Sequence, residues 1–127
     1  MMNANTVRTL ITEAIESRSI LFIKYCHTSD GEVVDHKIAP FDIGTTNPKT
    51  QERNRDNLYA YSYTHKDSKT NLSNPKVCAF NIDSFVEIQD SGEKFDENEL
   101  ARLNQIATKY DYRTCDFNVA KNRGWFR

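Results

Sequence analysis

Asn57 to His65 alternates large and small side chains, and that alternation limits the stretch to one kind of element. Tyr59, Tyr61, Tyr63 and His65 fall on odd positions, and Leu58, Ala60, Ser62 and Thr64 on even ones. Side chains of a strand alternate with period two, so the sequence predicts a β-strand with a tyrosine row on one face and small residues on the other. A row of amphipathic rings is either a platform on which bases stack or the packed side of a sheet.

The rest of the chain supplies partners for such a strand. Val7, Leu10, Ile11, Ala14 and Ile15 recur at helical spacing, so an amphipathic helix precedes the sheet, capped by Asn5 or Thr6 and closed by Ser17-Arg18. Ser19 to Cys26 is dense in β-branched and aromatic residues and reads as a buried strand. Ser29-Asp30-Gly31 marks a tight turn before a strand over Glu32 to Ile43, in which Pro40 implies an edge position or a bulge. A polar loop is expected over Gly44 to Asp56 and another over Lys66 to Asn74, with further strands over Lys76 to Ile82 and Phe85 to Ile88. Asp96 and Glu99 stand at capping-box spacing, opening a C-terminal helix with Leu100, Leu103, Ile106 and Tyr110 on its apolar face. Four or five short antiparallel strands after one helix predict a small barrel, mainly β in an α+β arrangement.

Composition narrows the function. With 127 residues the chain is one domain, and a formal net charge of -1 argues against a strongly basic, non-specific binder of nucleic acid while leaving room for a local basic groove. No apolar run reaches the length that spans a bilayer and no signal peptide is evident, so a cytosolic protein without a membrane partner is expected. Cys26, Cys78 and Cys115 are odd in number and far apart, which fits free thiols. His27, His36 and His65 are dispersed, no zinc spacing exists, and neither a metal nor another cofactor is expected. The glycines are isolated, so no phosphate loop exists, and no nucleophile, base and orienter assemble into a catalytic set. The expectation is a protein that is not an enzyme.

Several segments resemble the WYL domain family. They are Ala14-Ile15 with Arg18 and then Leu21-Phe22-Ile23-Lys24-Tyr25, His36 to Ile43 with its Pro40 step, Leu58-Tyr59-Ala60 at the place of the family's Trp-Tyr-Leu, and Val77 to Phe85 with Phe80 in register. The resemblance runs from about Leu10 to Phe95. It implies an Sm-like or SH3-like antiparallel barrel with an N-terminal helix over residues 1–95, and a C-terminal helix and tail over 96–127 packed on the same domain. It further implies a regulatory, ligand-sensing module that binds nucleic acid or a nucleotide-like anion. Family members often sit beside a helix-turn-helix, and with no room for one before residue 10 a stand-alone member, or one that has lost its usual effector, is expected. Only Tyr59 of the eponymous triplet is kept, and Cys78, Asn81 and Ser84 stand where the family often carries arginine.

The candidate ligand site joins the tyrosine row to the basic residues around it. Tyr59, Tyr61 and Tyr63 would stack on bases, while Arg18, Lys37, Arg53 and Arg55 would hold phosphates of a single-stranded nucleic acid or a nucleotide. The bland alternative is that the rings pack on a helix and the charges form an ordinary solvated surface. A second function class is a protein-interaction module that has lost the ligand site. It would form a homo-oligomer or bind a protein partner through the tail from Lys121 to Arg127, with Trp125 and Phe126 as anchors.

Overall fold

The computed structural model describes residues 1–27, 31–46, 53–67, 69–96, 98 and 99, with side chains at all of these except 42, 44–46, 53–57 and 77. The element order is α1 (Ala4–Ser17), β1 (Ser19–Cys26), β2 (Val33–Thr46), β3 (Arg53–Ser62), β4 (Lys76–Asn81), a 3-10 turn over Ile82–Ser84, and β5 (Phe85–Lys94). All pairings are antiparallel, in the order β4-β3-β2-β1-β5.

The helix forms where the apolar stripe predicts, and it buries Val7, Ile11, Ala14 and Ile15. Its cap is Asn3 rather than Asn5 or Thr6: the Asn3 side chain accepts the Asn5 N–H at 2.8 Å. Arg18 ends it in the left-handed region (φ 57°), where its N–H reaches the carbonyls of Ala14 and Ile15. The stripe packs on Leu21, Ile23, Tyr25, Ile38, Ile43, Leu58, Ala60, Phe80, Ile82 and Phe85, which form the core on the inner face of the sheet.

Of the polar stretch expected as a loop over 44–56, residues 44–46 belong to β2 and residues 53–56 to β3. Thr45 pairs with Asn54 and Thr46 with Arg53, so β2 and β3 run on past the core. Pro40 lies in β2, between β3 and β1, so the edge position is excluded. The register shifts between Pro40 and Asp42, and this bulge accommodates the residue that lacks an N–H. β5 continues to Lys94, well beyond Ile88, by a second irregularity. The pairing slips between Leu21–Asp90 and Ser19–Lys94, and Gly92 takes φ 82° while its N–H bonds Asp90 Oδ1 at 2.8 Å.

The sheet is not a closed barrel, which corrects the expectation. No ladder joins β4 to β5. It is nevertheless curled, and the reason is chain length. Were it flat, four strand spacings would hold the edges about 19 Å apart. The four steps from Asn81 to Phe85 cover at most about 14 Å, so the edges must approach at that end. The intervening residues wind as a 3-10 turn capped by Asn81, whose side chain accepts the Asp83 N–H at 2.8 Å, and the strands part where a ladder would begin. Met2 N–H to the Phe85 carbonyl (2.9 Å) and Phe95 N–H to the Arg18 carbonyl (2.8 Å) tie the two ends of β5 to the two ends of the helix.

Asp96 begins the capping arrangement read from the sequence: its carboxylate accepts the Glu99 N–H at 2.9 Å. The helix expected beyond it, Cys115 and the tail with Trp125 and Phe126 lie outside the described residues.

Candidate functional site

Strand register generates a groove on the outer face, opposite α1. Leu21, Ile23 and Tyr25 turn into the core, so Phe22 and Lys24 turn outward. Phe22 stands between its cross-strand partners Lys37 and Gln89, and Lys24 between Asp35 and Glu87. These two rows form the floor, and Thr64 and Lys66 supply a wall, enclosing about 520 Å³. Phe22 is 45% exposed, a large ring left open on the outer face of β1. Three lysines (Lys24, Lys37, Lys66) against two carboxylates (Asp35, Glu87) give the lining a net positive sign, although the whole chain is slightly acidic.

Two of the lysines are already engaged. Lys24 Nζ lies 3.3 Å from Asp35 Oδ1, and Lys37 Nζ lies 2.8 Å from Glu93 Oε2. Both pairs are solvent-exposed and worth at most about 1 kcal/mol, so an incoming anion competes with them at little cost. Lys37 Nζ also lies over the Tyr63 ring, 5.7 Å from its centroid. Burial, with Glu99, Tyr61 and Glu93 nearby, pushes the Tyr63 phenol up to about 12, so it stays neutral and remains a hydrogen-bond donor.

The sequence-predicted residues separate here. Lys37 lines the groove and Tyr63 stands beside it. Tyr61 meets Tyr63 edge-on (centroids 5.1 Å apart) but is only 5% exposed, and its cross-strand partner Ala39 is fully buried. The outer face is therefore covered at Tyr61 and open at Phe22. Tyr59 is half-buried. Arg18 serves the helix end, its guanidinium donating to the carbonyls of Glu16 (2.7 Å) and Ile15 (3.4 Å). Arg53 and Arg55 belong to β3, but their side chains lie outside the described set. At the positions where the resemblance implies arginine, Cys78 packs against the core, Ser84 is buried and Asn81 caps the 3-10 turn. Burial pushes the Cys78 thiol up to about 11, which makes it a poor nucleophile.

His65 leaves the tyrosine row. β3 ends at Ser62, after which the Tyr63 N–H still bonds the Lys37 carbonyl (2.9 Å), but Lys37 N–H is met by the Thr64 hydroxyl at 3.0 Å instead of a backbone carbonyl. The chain turns there, and His65 lies parallel to His36, centroids 6.4 Å apart with planes 10° apart. His27 approaches the same ring at 6.1 Å, so the fold gathers the three histidines that the sequence scatters. Among the described residues no set of His, Cys, Asp and Glu is placed to hold a metal ion. Phe22 was missed for a plain reason: within an apolar run, nothing local distinguishes an outward ring from an inward one.

No family model matches the sequence, and no curated protein does. Some solved structures resemble the chain. The chain is similar to proteasome accessory factor B/C (PafBC) of Arthrobacter aurescens. The TM-score is 0.48 at 19% sequence identity, over 73% of this chain and 12% of that one. The chain spans only about an eighth of the length of that protein. No helix among the described residues is long and apolar enough to cross a membrane.

Proposed function

We propose that this chain is a non-enzymatic, cytosolic ligand-sensing module of WYL type, which holds a nucleotide-like anion or a short single strand of nucleic acid in the outer groove. The observation that carries this reading is Phe22, an open aromatic ring set between Lys37 and Gln89. A base stacks on that ring, a contact worth about 1–3 kcal/mol. Lys37, Lys24 and Lys66 attract the phosphates as point charges, and the Gln89 amide and Thr64 hydroxyl offer directional hydrogen bonds. Tyr63 supports Lys37 from the side. The order β4-β3-β2-β1-β5, with a 3-10 link returning the chain beside β1, supports the Sm-like or SH3-like part of the resemblance. Because Cys78, Asn81 and Ser84 serve core and cap, the anion is placed on the groove lysines instead of on the arginines usual in the family. Titration with short RNA and DNA oligonucleotides at low ionic strength tests the reading. Saturable binding that Phe22→Ala weakens supports it, and absence of binding removes it.

A second reading, a protein-interaction or self-association module, is favoured by the two sheet edges. Among the described residues neither β4 nor β5 has a second strand neighbour, and such edges accept added strands. The molecular mass in solution, with and without residues 121–127, tests it. An unchanged monomer counts against it.

A further inference from the structure

His36, which also lines the groove, stands at the centre of the histidine assembly. His36 is 5% exposed and its Nδ1 lies 3.0 Å from the Ser62 hydroxyl, while Nε2 is buried with no hydrogen-bond partner. Its ring is enclosed by Phe80 edge-on (5.2 Å), His27 and the parallel His65. A neutral imidazole tolerates this enclosure; an imidazolium carries a second N–H that has no acceptor and a charge facing two other imidazoles. The stretch that brings His65 onto His36 also carries Thr64 and Lys66, which wall the groove. Among the described residues its backbone is tied by Tyr63 N–H to the Lys37 carbonyl, the Thr64 hydroxyl on Lys37 N–H, the Lys66–Ser73 bridge, and Asn74 N–H to the His65 carbonyl at 2.7 Å, while the Tyr63 ring packs on Tyr61 and under Lys37.

We infer that the His36–His65 stack is a proton-operated latch that fixes the groove wall when both rings are neutral and releases it when they are charged. Burial drives both rings toward the neutral form. For His36 the neighbouring His27 and His65 add to this, bringing it down to about 4 against the opposing pull of Asp35. For His65, Lys76 at the start of β4 and His27 add to burial, and Asp67 opposes them. The two carboxylates therefore fall short of stabilising the charged pair. The sign follows: unfolded or released imidazoles take up protons below about 6.5, so the closed latch loses stability as pH falls from 6.5 toward 4. Release would withdraw Thr64 and Lys66 together and dismantle the anion site. That last consequence rests on the proposed role of the groove, whereas the latch itself does not.

Amide hydrogen exchange of the ligand-free chain separates the two. Protection at Tyr63 and Asn74, corrected for the intrinsic pH dependence of exchange, should fall at least about tenfold for each pH unit below 6, tenfold for each proton taken up by the released pair. Protection at Ile23 and Ile38 should fall less over the same range. His65→Phe keeps an aromatic ring and removes the proton site, so it should flatten the response at Tyr63 and Asn74. Should that variant prove unfolded, His65→Gln serves the same purpose with a smaller side chain. Protection at Tyr63 and Asn74 that stays level to pH 5 in the parent chain would overturn the latch. So would an equal fall in parent and variant. Loss of oligonucleotide binding at neutral pH bears only on the groove.

Discussion

The Tyr25 hydroxyl accepts the Asn81 amide hydrogen at 2.9 Å, joining β1 to the end of β4 across 56 residues of sequence. Tyr25 also meets Phe80 at 5.0 Å and Phe85 at 5.4 Å, both edge-on. One ring therefore fills the gap left by an unclosed sheet, with its polar tip satisfying a backbone group at the 3-10 turn. Tyr25→Phe keeps the packing and leaves the Asn81 N–H without that acceptor. Chemical denaturation should show a loss of about 1–2 kcal/mol with an unchanged denaturant slope.

Acid should destabilise the fold through His36. Its folded value is depressed, so the unfolded chain binds the proton first and stability declines as pH falls from 6.5 to about 4. The displacement caps the loss at roughly 3 kcal/mol, and His65 moves in the same direction. Thermal or denaturant unfolding at stepped pH reads this directly. His36→Gln should remove most of the decline.

Glu93 should weaken anion binding, because its carboxylate occupies Lys37 at 2.8 Å. Glu93→Gln frees the ammonium and removes one negative charge beside the groove. Affinity for a short oligonucleotide should rise by a few-fold, on the order of the 1 kcal/mol that an exposed ion pair contributes. Fluorescence anisotropy at fixed low salt measures it.

Much of the scaffold was legible because it rests on local periodicity. The stripe of α1, the alternation around Tyr59 and the dense run of β1 each name an element, and the stripe also names its buried side. The curl was less so. It depends on a three-residue 3-10 turn that ties one sheet edge to the other, and nothing in Ile82, Asp83 and Ser84 alone announces it. The site was legible at Lys37 and Tyr63. Phe22 and Gln89 join them through non-local register, and two neighbouring positions in β1 decide which ring faces out. His65 escaped because the alternation was carried three residues past the end of the strand, where the Thr64 hydroxyl replaces a backbone partner and the chain turns inward.

The most direct test of the groove is a heteronuclear NMR titration with a short single-stranded oligonucleotide at low and raised salt. Saturable shifts centred on Phe22, Lys24, Lys37, Thr64, Lys66 and Gln89 are expected. Affinity should fall with a log–log salt slope of about -2, as three lysines releasing counterions from a single strand require. Shifts centred on the β4 edge, or none that saturate, would contradict it.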